Sequence, residues 1–191
     1  MKIWLARHGE TDWNIQRLMQ GTTDTELNEN GFAQAARLGE EMADKGITRV
    51  YASHLKRARR TAQIVAERIG VPCEVREGLY EAALGEWEGH VWADICERTP
   101  EITQRWMSDR RNTRPPKGET YQDVLNRFIP AVVRIVRENT EDVMIVSHNG
   151  TIKSFLAELN GTPLETMGVD YPTPNAGAIE VDAARIMERF G

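Results

Sequence analysis

Arg7, His8, Gly9 and Glu10 follow directly on the apolar run Ile3-Trp4-Leu5-Ala6. A cation, a titratable nucleophile and a residue that lets backbone come close are thus delivered at the end of a strand-like segment. In open α/β sheets, ligands sit outside the carboxyl ends of strands. An anion is the natural guest for such a trio, and phosphate suits it best. Two further strand-like runs end in related residues. Residues 47–52 lead into Ser53, with Arg57 one turn into the helix that follows. Val143-Met144-Ile145-Val146 leads into Ser147-His148. If the three strands are parallel, two histidines and two arginines converge on one rim.

That set fits phosphoryl transfer through a histidine. A phosphate monoester dianion repels nucleophiles, and enzymes accelerate its hydrolysis by up to about 10²¹-fold. Without a metal, the transferring group needs fixed positive charge on its equatorial oxygens. Arg7, Arg57 and His148 can supply it. His8 can attack phosphorus once one ring nitrogen is unprotonated. An unperturbed histidine titrates near ~6.5, and neighbouring arginines push it further toward neutral. The leaving alkoxide needs a proton, which calls for a nearby carboxylic acid with a raised pKa.

The elements that must position these residues read clearly. Asn28 is the expected N-cap of a helix over about 29–44. Ser53 is expected to cap a helix whose stripe is Leu55, Ala58, Ala62, Val65 and Ile69, stopped by Gly70 and Pro72. Residues 73–76 read as a short strand near an edge. Residues 9–28 are polar and turn-rich, a long loop of functional type. Residues 78–118 hold Trp87, Trp92, Trp106 and the run Asp109-Arg110-Arg111-Asn112-Thr113-Arg114, and read as an inserted cap with one or two helices. Thr120 with Asp123 marks the start of a helix striped by Leu125, Phe128, Val132 and Ile135, which Pro130 is expected to kink. The continuous apolar run 143–146 predicts a strand buried on both faces. A helix over about 151–160, a strand over 178–181 and a terminal helix over 183–190 complete the chain. Strands alternating with helices predict a single α/β domain over 1–191: a three-layer α/β/α sandwich with a mainly parallel central sheet and a small cap insertion.

With these elements in place, the chain resembles the histidine phosphatase (phosphoglycerate mutase-like) superfamily along nearly its whole length. Leu5-Ala6-Arg7-His8-Gly9-Glu10-Thr11, with Asn14, is similar to that family's signature. Leu18-Met19-Gln20-Gly21-Thr22-Thr23-Asp24 resembles its phosphate-pocket loop, and Ser53-His54-Leu55-Lys56-Arg57-Ala58 its second-arginine motif. Leu79-Tyr80-Glu81, followed by Gly85-Glu86-Trp87-Glu88-Gly89, resembles its acid motif. Gly118-Glu119-Thr120 and Val146-Ser147-His148-Asn149-Gly150 resemble its Gly-Glu-Ser turn and its second-histidine motif. The resemblance implies that His8 forms a phosphohistidine and that Arg7, Arg57 and His148 hold the phosphoryl group. It implies phosphate or substrate contacts from Asn14, Gln20, Gly21 and Asn149. It makes Glu81 the general acid and base, although Glu86 and Glu88 lie close by. It implies no metal and no cofactor. His54 and Asn149 depart from the family pattern.

Bulk properties exclude other classes. The net charge of −5 argues against a nucleic-acid footprint but not against one small anionic ligand. Cys73 and Cys96 read as two reduced thiols of a cytoplasmic protein. No signal peptide or membrane span is expected. The resemblance implies a small phosphorylated metabolite as partner, and a homodimer is the assembly left open. Arg110, Arg111 and Arg114 are candidates for reaching a second anionic group on the substrate. The function expected is hydrolysis of small phosphomonoesters. A phosphoglycerate mutase, a narrow α-ribazole, sugar-phosphate or phosphoserine phosphatase, and a non-catalytic binding protein are the rivals.

Overall fold

Strand β4 (Val143–Ser147) is buried along its whole length, as its unbroken apolar run requires. It lies at the centre of one sheet with β1 (Lys2–Arg7), β2 (Arg49–Ala52), β3 (Cys73–Val75) and β5 (Ala178–Asp182), ordered β3-β2-β4-β1-β5. β1 to β4 run parallel, and β5 closes one edge antiparallel to β1. The computed structural model describes all residues, Met1–Gly191.

Alternating side chains split the interior into two layers. Ile3, Leu5, Tyr51, Val143 and Ile145 pack on one face against α6 (Tyr121–Glu138), α7 (Asn149–Asn160) and α9 (Ala183–Phe190). Trp4, Ala6, Val50, Ala52, Met144 and Val146 pack on the other face against α2 (Glu29–Met42) and α3 (Lys56–Ile69). The expected three layers are therefore present. The helix after β4 lies on the opposite face from the helices that follow β1 and β2. Neighbouring strands whose connections leave in opposite directions open a crevice at their carboxyl ends. Register levels the three ends, because Arg7 pairs with Ser147 and Ala52 with Val146.

Several local readings sharpen. The Asn28 side chain accepts from the Gly31 amide, and Thr120 with Asp123 forms a capping box. Gly70 ends α3 in the left-handed region at φ 74°. Ser53 does not cap α3. That helix begins at Lys56, with Leu55 as N-cap and no cap bond from Leu55's own side chain. The Asp24 carboxylate, from the 9–28 loop, accepts the Lys56 amide instead. Ser53 is committed elsewhere, as described below. α6 runs as one helix from Tyr121 to Glu138 with Pro130 inside it. The 9–28 loop contains a one-turn helix, α1 (Asp12–Ile15), closed by a Thr11–Asn14 capping box. The cap carries a 3₁₀ turn (Gly85–Trp87), α4 (Trp92–Arg98) and α5 (Pro100–Ser108). Trp87, Trp92 and Trp106 pack as a triangle with ring centroids 5.5 to 5.7 Å apart, seated on α6 through Tyr121, Val124 and Leu125. A short helix, α8 (Met167–Asp170), precedes β5. No helix is long and apolar enough to cross a membrane.

The exit from β1 is packed backbone on backbone against the start of α2. A Cβ on Gly9 would lie 2.6 Å from the Gly31 carbonyl oxygen, and one on Gly31 would lie 2.1 Å from that of Glu10. Gly31→Ala is therefore expected to destabilise by about 1–3 kcal/mol through forced backbone displacement. Gly168→Ala, which meets open space, should stay within about 0.5 kcal/mol of the parent. Urea denaturation of both variants checks this, and equal stability of the two would refute the contact's importance.

Candidate active site

The crevice between the ends of β1, β4 and β2 holds a cavity of about 250 Å³, lined among others by Arg7, His8, Asn14, Gln20, Gly21, Arg57, Glu81 and Asn149. His8 is anchored by its own backbone, whose N–H donates to the Ser147 carbonyl at 3.1 Å. Its ring Nδ1 lies 2.7 Å from the Gly9 carbonyl oxygen. A carbonyl only accepts, so Nδ1 carries the proton and Nε2 keeps its lone pair. Burial, then Arg57 and Arg7, hold the His8 pKa well below its ordinary value.

His148 packs 5.3 Å from His8, centroid to centroid. It stands just behind the cavity lining rather than in it. Its Nε2 is 2.9 Å from the Ser53 hydroxyl oxygen, which accepts the Leu55 amide at 3.2 Å. The Ser53 hydroxyl can give its proton to Nε2 or accept one from it, and where it gives, the neutral ring's own proton sits on Nδ1. That Nδ1 is buried with no protein partner. Burial, then Arg57 and His8, keep this ring neutral as well.

Arg57 is fully buried yet faces no carboxylate within ion-pair distance. Its terminal nitrogens donate to the Gly21 carbonyl at 2.7 Å and the Thr23 carbonyl at 2.8 Å. Burial pushes its pKa down to about 10, which leaves it cationic at neutral pH. Arg7 donates to the Thr173 carbonyl at 2.9 Å, and burial lowers its pKa too. Both guanidinium Nε atoms are buried and unpartnered. Three buried nitrogens without a protein partner, Arg7 Nε, Arg57 Nε and His148 Nδ1, thus belong to the residues grouped with His8. Buried polar groups without partners cost free energy, so the arrangement is built for an anion to complete.

The three neighbouring carboxylates separate cleanly. Glu81 lines the cavity, whereas Glu86 pairs with Lys117 on the surface. Glu88 accepts from Thr22, Thr23 and Leu84. Burial pushes the Glu88 carboxyl up, but the bonds from Thr23, Thr22 and Leu84 outweigh it and hold the group below the usual range. Glu88 therefore fixes the loop whose carbonyls receive Arg57. The same contact explains Gly21, where φ is +51° and a Cβ would lie 2.1 Å from a Glu88 carboxylate oxygen.

Glu81 occupies the amino terminus of α7. His148 is the N-cap there but makes no cap bond with its side chain. Glu81 Oε2 accepts the Gly150 amide, and Oε1 accepts the Thr151 amide, the Thr151 hydroxyl and the Ala82 amide, all at 2.9 Å. Oε2 has one donor against it and Oε1 up to three, so Oε2 is the freer of the two oxygens. Arg127 holds this segment by donating to the Gly78, Tyr80 and Glu81 carbonyls and to both Glu119 oxygens, while Glu119 accepts the Ala83 amide.

The remaining candidates divide. Asn14 Oδ1 accepts from Thr11 and Asn175, which leaves its amide donor for the cavity. Asn149 Oδ1 accepts from Thr173, and Gln20 Oε1 from Thr25, with the same result. The cap arginines do not line the cavity. Arg111 pairs with Glu158, Arg114 pairs with Asp123, and Arg110 lies 4.4 Å over the Trp106 ring. Sequence reasoning did not assign Ser53, Thr151 or Arg127 a part in the site, nor the loop of Thr173 and Asn175. Glu119 sits in the quoted Gly-Glu-Thr turn, but its partner Arg127 carried no signal.

A sequence profile described as "Histidine phosphatase superfamily (branch 1)" matches residues 3–185. The chain is 33% identical to the adenosylcobalamin/alpha-ribazole phosphatase of Salmonella typhimurium, covering 87% of this chain and 83% of that protein. It is 30% identical to the glucosyl-3-phosphoglycerate phosphatase of Mycolicibacterium vanbaalenii, covering 94% and 83%. Among solved structures, Bacillus stearothermophilus YhfR superposes with a TM-score of 0.86 at 33% identity, covering 95% of this chain and 90% of that one.

Both buried histidines resist protonation in the native state but titrate near ~6.5 when unfolded. Below that pH the unfolded chain binds protons that the native state refuses. Stability should therefore fall as pH drops from about 6.5 toward the folded values. The slope is up to about 1.4 kcal/mol per pH unit for each histidine. His8→Asn should make the decline between pH 6.5 and 5.5 shallower by one histidine's share. An unchanged slope in urea titrations at those two pH values would show that His8 is not held neutral.

Proposed function

Since the chain belongs to the histidine phosphatase superfamily, we propose that it hydrolyses small phosphomonoesters through a phosphohistidine on His8, without help from a metal. The observation that carries this reading is an unprotonated His8 Nε2 grouped with Arg7, Arg57 and His148, each of which has a buried nitrogen without a partner. A phosphoryl group bound there receives Arg7, Arg57 and His148 on its oxygens, with Asn14, Gln20 and Asn149 offering further amide donors and Gly21 closing the floor. The positive charge that the transition state needs is supplied by the chain itself.

In the first step the His8 Nε2 lone pair forms the N–P bond as the ester P–O bond breaks. Glu81 Oε2 gives its proton to the departing alkoxide. In the second step Glu81 takes a proton from water, whose oxygen attacks phosphorus, and the N–P bond breaks to release phosphate. Burial of His8 beside two guanidinium groups keeps the nucleophile neutral at physiological pH. The relatives named above carry phosphatase names whose substrates are phosphorylated metabolites, which supports this substrate class over nucleic acid or protein.

Turnover of 4-nitrophenyl phosphate is expected to persist in EDTA and to fall by at least about 10³-fold in His8→Ala with the fold retained. Glu81→Gln should cost about 10²–10⁴-fold on alkyl phosphates, which need the proton. It should cost far less on 2,4-dinitrophenyl phosphate, whose leaving group does not. Retained turnover in His8→Ala would remove it as nucleophile. A panel of metabolite phosphates, including 3-phosphoglycerate, α-ribazole phosphate and phosphoserine, scored for both free phosphate and isomerised product, separates hydrolase from mutase. Isomerised product without phosphate release would overturn the hydrolase reading.

A further inference from the structure

Of the cations lining the cavity, two are spoken for. Arg7 and Arg57 donate to backbone carbonyls, and each keeps a buried Nε without a partner beside His8. The third is Arg17. Its side chain makes no hydrogen bond and no ion pair, which sets it apart from the tied-up Arg111 and Arg114 of the cap. Its backbone is unusual as well, with φ at 57°, in the left-handed region. A residue with a Cβ costs roughly 1–2 kcal/mol there, and glycine would not. Strain of this kind, kept at a ligand site, points to a use for the side chain.

Local geometry explains why the turn is there. The chain leaves α1 and must at once join the cap, where Leu18 bridges to Val91 and Met19 exchanges backbone bonds with Gly89 and His90. Arg17 is the corner of that turn and stands exposed at the rim, beside Trp13 and Leu18, with the phosphoryl-binding residues at the inner end of the same cavity.

We propose that Arg17 is a specificity-determining residue that receives a second anionic group, a carboxylate or a second phosphate, on the substrate whose phosphoryl group goes to His8. The preferred substrates are thus phosphomonoesters of small acids rather than of neutral alcohols. The proposal rests on the phosphatase reading above. A cation unpaired in the free protein and paired in the complex gives a charge-assisted contact without first breaking an internal one.

The test uses two compounds that differ only at one carbon, 3-phosphoglycerate and glycerol 3-phosphate, as competitive inhibitors of 4-nitrophenyl phosphate turnover. Wild type should bind 3-phosphoglycerate at least tenfold more tightly. Arg17→Gly removes the side chain at a φ that glycine accepts without strain. It should weaken 3-phosphoglycerate about tenfold and leave glycerol 3-phosphate within twofold. Arg17→Lys should restore most of the discrimination, and Arg110→Ala should not alter it. Equal inhibition by the two compounds in wild type, equal loss for both in Arg17→Gly, or loss in Arg110→Ala alone would overturn the assignment. Absence of 4-nitrophenyl phosphate turnover in wild type would sink the phosphatase reading itself, a failure distinct from these.

Discussion

Two guanidinium groups, Arg57 fully buried and Arg7 partly so, lie in one site with no carboxylate paired to either, and the rest of the structure is arranged around that cost. Burying an ion costs several kcal/mol even after relaxation, and a second like charge near by adds to it. Part of the cost is offset by carbonyl oxygens, two on Arg57 and one on Arg7. Those carbonyls belong to loops, and each loop is held in turn. Glu88 grips the turn at Thr22 and Thr23, while Asn149 and Asn175 tie the segment around Thr173 to the site. The balance left unmet is the driving force for taking up an anion. His8 and His148, packed together, stay neutral and add no further positive charge.

The sheet sets the distances. Parallel pairing levels the ends of β1, β4 and β2, so the side chains just beyond them face one crevice. The acid is tied to the same frame from another direction. α7 starts at the end of β4 with no cap from its own first residues, and Glu81 fills that role from a distant loop. Helix and acid thereby stabilise each other, since the carboxylate satisfies orphan amides and the positive end of the helix holds the carboxylate. Arg127, stacked 3.5 Å over Tyr80, locks the backbone of the acid loop. His8 and Glu81 are thus borne by elements that cannot shift independently.

Much of this was readable in the sequence where local physics decides. Apolar runs ending in Arg-His, Ser and Ser-His marked the strand ends, because the switch from apolar to polar types falls at the last residue of each strand or just beyond it. Asn28, Thr120 and Gly70 marked helix termini through their own caps. Readings failed where a distant partner decides. Ser53 looked like a helix cap because its type and place allow it, but its hydroxyl is claimed by His148, 95 residues on. Glu81, Glu86 and Glu88 are alike in type, and only the path of the loop tells which one faces the cavity. Arg127 acts across more than 40 residues on backbone carbonyls, which leave no mark in composition. The cap arginines drew attention as a charge run, while Arg17, inside a polar loop, carried no pattern.

The bridge from Leu18 to Val91 divides the protein's labour along lines that matter for descent. The rim is built by α1 and the cap, which meet each other through a few backbone bonds. The reacting groups are built by the sheet, α3 and α7. A duplicated gene could remodel the turn at Arg17 or lengthen the cap and still inherit the histidines and arginines in register. New substrates would then be reached by changing the doorway, without rebuilding the room behind it.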